Sequence, residues 1–150
     1  MIALIQRVSE ASLSINSQVY SSIGKGFLVL LGIHESDTEK DVVYLSKKIS
    51  GLRIFSDEAG KMNLSLQQVE GEILLVSQFT LFAETKKGNR PSFIEAAKPE
   101  IAIPLYEKMI QSLQENFQNK IQTGKFGADM QINLVNDGPV TIIINSKDGN

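Results

Sequence analysis

Cysteine is absent from this 150-residue chain and histidine occurs once. The first absence excludes a disulfide framework and thiolate chemistry; the second leaves too few imidazole or sulfur ligands for a typical zinc or iron site. No structural metal and no cofactor are expected. No serine stands in a G-x-S-x-G elbow, and the lone His34 follows an apolar strand and reads as structural, which speaks against a Ser-His-Asp hydrolase. No run approaches the about 18 apolar residues of a membrane span, and the N-terminus alternates apolar and polar residues where an export signal has a basic flank and an apolar run. Membrane insertion and export are therefore not indicated, and a cytoplasmic location is expected. The formal charge of -2 argues against generic nucleic-acid binding, which relies on a clearly basic surface.

What is present suffices for one domain over residues 1–150, since a chain of this length buries roughly 70% of its unfolded surface. Ile2 to Val8 and Ser12 to Val19 alternate as strands, and the apolar run Phe27 to Ile33 suits a strand buried on both faces. Ser36-Asp37-Thr38-Glu39 fits a capping box, and Val42, Leu45, Ile49 and Leu52 follow at helical spacing. Arg53 to Ser56 reads as a strand that reverses around Asp57 to Gly60, and Glu72 to Leu81 as a long strand. A second amphipathic helix is expected from Pro104 through Leu105, Tyr106, Met109, Ile110, Leu113 and Phe117. Strand patterning returns at Gln131 to Val135 and Val140 to Ile144, on either side of an Asn-Asp-Gly-Pro corner. The expected fold is α+β, a mostly antiparallel sheet or open barrel covered by two helices. The apolar Val140 to Ile144 strand favours a homodimer that buries it.

Charge is uneven along the chain. From Ala83 to Lys98, Lys86, Lys87, Arg90 and Lys98 stand against Glu84 and Glu95, a net +2 in a segment that Gly88, Asn89 and Pro91 mark as a loop. Such a loop is either a solvated surface or a phosphate-binding one.

Two short motifs carry more. Ser77-Gln78-Phe79-Thr80-Leu81 and Asn136-Asp137-Gly138-Pro139-Val140-Thr141 resemble, in order and surroundings, the two signature motifs of the D-aminoacyl-tRNA deacylases, editing enzymes that free tRNA from wrongly attached D-amino acids. Similar segments begin at Met1-Ile2-Ala3-Leu4-Ile5-Gln6-Arg7-Val8 and continue through Leu52 to Phe55, Gly60 to Ser65, Lys87 to Phe93 and Gly124 to Met130, so the resemblance spans the chain and no motif departs from it. It implies a homodimer with one site per subunit around Ser77 to Thr80, closed by a Gly-cisPro pair from the partner that maps onto Gly138 and Pro139. It also places Phe79, Phe126 and Met130 around the pocket, residues that would serve equally as core. With a tRNA acceptor end as substrate, Lys86, Lys87 and Arg90 become phosphate-binding candidates.

Cleaving an aminoacyl ester needs a nucleophile, a proton path and donors for the developing oxyanion. Ser77 and Thr80 offer hydroxyls, Gln78 an amide, and the strand end its backbone N–H groups. In a regular strand Gln78 and Thr80 face away from Ser77 and Phe79, so Ser77 and Thr80 meet one substrate only if the strand twists or ends between them. Two roles for Thr80 stay open, nucleophile or positioning group beside an attacking water, and threonine without a nearby base is a poor nucleophile. The terminal ribose 2′-hydroxyl could assist the proton transfer. For selectivity, a pocket that fixes the α-amino group and the ester carbonyl leaves two directions at Cα, and one rigid wall is enough to exclude an L side chain. Glycine has no side chain, so glycyl-tRNA is expected to be cleaved as well. Asn136, Asp137 and Thr141 are expected to hold the corner through side-chain hydrogen bonds to backbone.

Overall fold

The computed structural model describes residues 1–149. β1 (Ile2–Ile15) is long enough to serve two partners along one edge: its residues 2–8 pair with β3 (Gly26–Gly32) and its residues 11–15 with β2 (Gln18–Ile23), both antiparallel. β8 (Gln131–Asn145) runs antiparallel along the opposite edge of β1. The sheet then continues from β3 to β6 (Glu72–Ser77) and β7 (Ile121–Thr123), and here the pairing is parallel. The sheet is thus mostly antiparallel, as expected, with two parallel pairings at one side that the sequence pattern did not anticipate. The cause is the crossovers: α1 (Glu39–Gly51) lies in the connection from β3 to β6 and α2 (Pro99–Asn116) in that from β6 to β7, so each strand is re-entered from the same end. A small β4–β5 ribbon (Phe55–Ser56, Met62–Leu64) lies within the first crossover. The sheet curls until it is nearly closed.

Strand periodicity divides the apolar side chains between two cores. Phe27, Val29 and Leu31 of β3 and Ile73 and Leu75 of β6 meet Val42, Leu45 and Ile49 of α1 and Leu105, Met109 and Leu113 of α2. Leu28, Leu74 and Val76 point the other way and pack with Val8, Ala11 and Leu13 inside the curled sheet. The strand expected to be buried on both faces, β3, is therefore sandwiched between helices and sheet.

Four boundaries differ from the sequence pattern. The strand expected from Ser12 to Val19 does not exist as a unit, because Asn16 and Ser17 take positive φ (51° and 64°) and form a two-residue hairpin turn between β1 and β2. The capping box is present two residues later than expected: Thr38 caps α1 and Asp41 returns the bond, while Asp37 is engaged by the Met1 amino group and the His34 N–H. α2 begins at Pro99, which occupies its first position; Pro104 lies inside, facing solvent, where the Glu100 carbonyl it leaves without a donor can be hydrated. The strand expected to reach Leu81 ends at Ser77, because its neighbour β3 supplies no residue beyond Leu31 in the ladder. A 3-10 turn follows from Phe79 to Phe82 and folds over Gly32, where an added Cβ would lie 3.0 Å from Leu81 Cβ and 3.2 Å from the Gln78 carbonyl oxygen.

Candidate active site

The strand end at Ser77 opens onto a cavity of about 330 Å³ between β6, the start of α2 and residues 126–132. Ser77, Gln78 and Phe79 line one wall and Phe126, Met130 and Ile132 another, with Leu31, Ile33 and Ala97 completing an apolar floor. Five of the expected site residues are thus brought together. Thr80 lies outside the lining but is tied to it, since the Gln78 amide Nε2 donates to Thr80 Oγ1. With an N–H donated into its oxygen, the Thr80 hydroxyl remains available as a donor. Among the described residues, neither an imidazole nor a carboxylate hydrogen-bonds to it.

The backbone adds donors. Gln78 N–H makes the last sheet bond, to Leu31 O at 2.8 Å, and the first turn bond comes from Leu81 N–H to Gln78 O at 3.3 Å. The N–H groups of Phe79 and Thr80 fall between these two and have no acceptor within the turn. Asp129, on the opposite wall, is the one ionisable side chain of the lining among the described residues. No sequence motif singled it out. His34 does not line the cavity: its Nδ1 accepts from the Ser36 N–H at 3.1 Å and its ring rests 5.3 Å from Phe82.

Gly138 and Pro139 do not line the cavity of their own chain. The two expected strands around them are one, β8, but its register with β1 slips at this point. Gln6 pairs with Thr141 and Val8 with Asn136, so the single residue Arg7 stands opposite the whole stretch from Asp137 to Val140, and the surplus chain is pushed out of the sheet as a knuckle. Both residues at its tip are exposed, and the peptide bond between them is cis.

Arg7, which the sequence motifs did not mark as functional, anchors the knuckle. It is 8% exposed. Its Nε donates to the Asp137 carbonyl at 3.0 Å and stands 3.3 Å from the Asp137 carboxylate, while Nη1 donates to the Ile54 carbonyl. The Asn136 side chain accepts from Val140 N–H at 3.3 Å, closing the knuckle from the other side, whereas Thr141 meets the Gln6 side chain instead of backbone. Gly138 has φ of +130°, and a Cβ on it would lie 2.8 Å from Val140 Cγ2 and 3.0 Å from Arg7 Nη2.

Lys86, Lys87 and Arg90 lie away from the cavity lining, on an exposed loop pinched at its base by the paired bonds Glu84 N–H to Ser92 O (2.8 Å) and Ser92 N–H to Glu84 O (2.9 Å). Lys86 stands 3.7 Å from Glu84.

Hydroxyl, amide and backbone N–H donors around an apolar cavity are the kinds of group that an acyl-transfer site uses for positioning and polarisation. Comparison with known proteins narrows this. The family model described as D-Tyr-tRNA(Tyr) deacylase matches residues 4–145, and the chain belongs to that family. It is 65% identical over 147 residues to a protein of Cytophaga hutchinsonii named D-aminoacyl-tRNA deacylase, and 57% identical over 147 residues to one of the same name from Flavobacterium johnsoniae, covering 98% of both chains in each case. Among solved structures, one named c-Myc DNA Unwinding Element Binding Protein superimposes with a TM-score of 0.91 at 43% identity, covering 97% of this chain and 98% of that one. Another, described as a probable eukaryotic D-amino acid tRNA deacylase, has a TM-score of 0.84 at 16% identity, over 95% of this chain and 97% of that one, and shares the fold.

Proposed function

We propose that this enzyme, a hydrolase of aminoacyl-tRNA by its family, acts in the cytoplasm as a homodimer that removes D-amino acids and glycine from tRNA and spares L-aminoacyl-tRNA. The observation that carries this reading is the knuckle: a clamped Gly138-Pro139 tip projects from the sheet yet stays out of its own cavity, as a wall meant for a second copy would. β8, which bears it, pairs only with β1 among the described residues and exposes Val135 and Ile143 by 51% and 66%. An unpaired apolar edge of this kind favours a second chain as its cover.

In this reading the ester carbonyl lies at the end of β6. Its developing oxyanion is received by the N–H groups of Phe79 and Thr80, and the Thr80 hydroxyl, oriented by Gln78, positions the substrate beside Ser77. Water attacks the carbonyl carbon, the ester C–O bond breaks, and the proton passes to the departing 3′-oxygen of the tRNA, with the neighbouring ribose 2′-hydroxyl as relay. Free amino acid and uncharged tRNA result. Phe126 and Met130 face the reacting centre from the other wall, and Lys86, Lys87 and Arg90 hold acceptor phosphates. Gly138 and Pro139 of the second copy occupy the direction an L side chain would need.

The deciding experiment compares deacylation of D-tyrosyl-, L-tyrosyl- and glycyl-tRNA. Cleavage of the first and last with sparing of the second is expected; equal rates on the two tyrosyl enantiomers would remove the chiral wall. A second reading, a nucleic-acid binding module without ester turnover, takes its support from the name of the 43% identical structure and from the basic loop. Salt-dependent binding with no release of amino acid would establish it.

A further inference from the structure

Most aromatic side chains here are buried or half-buried, but Phe79 is 57% exposed beside the reacting groups. It is not isolated. The Phe93 ring meets it edge to face, with centroids 5.1 Å apart, and Ile94 next to it is 86% exposed. Phe79 also lines the cavity, so the aromatic pair begins at the cavity mouth and leads away from it. Phe93 follows directly on the Glu84–Ser92 pinch, from which Lys86, Lys87 and Arg90 are displayed. An exposed apolar patch needs a cover, and the basic loop that leads into this one selects it. An aromatic pair that leads into a cation-bearing loop matches the chemistry of single-stranded nucleic acid, whose bases stack on aromatic rings while its phosphates meet lysine and arginine.

Resting on the function proposed above, we propose that Phe79 and Phe93 form a stacking shelf for the unpaired nucleotides that precede the esterified terminal nucleoside of tRNA. The terminal nucleoside enters the cavity with its ester at the end of β6. The chain leaving the cavity passes over Phe79 onto Phe93, and its phosphates run toward the pinched loop. Ile94 extends the shelf. Stacking is tolerant of base identity, so the shelf adds affinity for a single-stranded end without restricting which tRNA is served.

The test uses the full chain, D-tyrosyl-tRNA carrying a single abasic position at each unpaired nucleotide before the terminal one, and D-tyrosyl-adenosine as a substrate with no preceding nucleotide. Phe93→Leu, which keeps apolar bulk but loses the ring, should raise KM for D-tyrosyl-tRNA about tenfold, the range of one lost base-aromatic stack, and should not raise it for D-tyrosyl-adenosine. Phe93→Tyr should restore the parent value. One abasic position should cost the parent enzyme the same factor and cost Phe93→Leu nothing more. Additive losses at every position would overturn the shelf, as would a KM rise shared by D-tyrosyl-adenosine, which would make Phe93 a support for the Phe79 segment. Dissociation of the dimer by Phe93→Leu without coupling to any nucleotide would assign the patch to a second copy and overturn it too. Failure of the parent enzyme to cleave either substrate would instead defeat the proposed function, and the two failures are distinct.

Discussion

Replacing Gly138 by alanine puts the knuckle under direct stress. At φ of +130° an L residue is strained, which costs about 1–3 kcal/mol. The added methyl would also fall 2.8 Å from Val140 Cγ2, 3.0 Å from Arg7 Nη2 and 3.1 Å from Val140 N, closer than ordinary packing allows. Arg7 cannot easily give way, because it is held to the Ile54 and Asp137 carbonyls, so the tip must move. The tip is exposed and the cores do not depend on it, so the fold should survive with a melting temperature lower by about 2–4 °C per kcal/mol lost. Selectivity should suffer more. A wall works by overlap, and a displacement that removes only about 1.4 kcal/mol of exclusion admits the wrong enantiomer about tenfold more often. Single-turnover deacylation of matched D- and L-tyrosyl-tRNA, read beside a thermal melt, measures both effects. The expected outcome is a D-to-L rate ratio reduced at least about tenfold in a folded protein. An unchanged ratio in a variant that shows the expected loss of stability would refute the knuckle as chiral wall.

Three further outcomes are expected. Thr80→Ala should lower the deacylation rate by an amount corresponding to about 1–3 kcal/mol, and Thr80→Ser should stay near the parent, because the hydroxyl positions substrate; trapping an aminoacyl ester on Thr80 would make it a nucleophile instead. Lys86→Ala with Lys87→Ala should raise KM for tRNA with little change in kcat and lower the salt slope by up to about one unit for each phosphate no longer neutralised, and an unchanged salt titration would return the loop to plain surface. Burial alone would raise the pKa of Asp41, but hydrogen bonds from Lys147, Ser146 and Thr38 outweigh it and hold the carboxyl well below its usual 3.8. Its stabilisation is therefore complete above that value and lost as pH falls below it, so Asp41→Asn should cost about 1–3 kcal/mol near neutral pH and progressively less in acid denaturation series below pH 3.8.

The parts of the fold that could be read in sequence are those where local pattern and tertiary outcome agree. The apolar run of β3 and the helical stripe Val42, Leu45 and Ile49 fall where the pattern puts them, because burial on these faces requires such residues wherever they pack. The hairpin at Asn16-Ser17 is hidden because it carries no glycine to announce its positive φ, and the flanking serines continue the strand-like alternation. The end of β6 is decided by how far β3 extends beside it, which is a tertiary fact invisible within residues 72–81.

The same division holds at the site. The signature segments point to Ser77 to Phe79, Phe126 and Met130, and the cavity brings them together. Arg7 was legible in principle: it shares the parity of Ala3 and Ile5, both fully buried, so a charge on the inward face of β1 was the signal that a partner must exist. Asp129 sits between Ala128 and Met130 in a short connection with no period to say which way it points. That Gly138 and Pro139 stand away from their own cavity was implied by the family resemblance but could not be read from residue pattern, since it depends on the slip in register between β1 and β8.

Whether the knuckle serves the partner's cavity is tested most directly by mixing subunits. Thr80→Ala chains and Gly138→Ala chains are co-assembled, the heterodimers isolated, and deacylation of D- and L-tyrosyl-tRNA measured against both parent homodimers. If the corner acts across the dimer, the Gly138→Ala subunit has an intact Thr80 facing the partner's intact corner, and each heterodimer regains one rapid, D-selective site. If each corner serves its own chain, every site carries one defect, and the mixture shows only the average of the two variants, which would contradict the account.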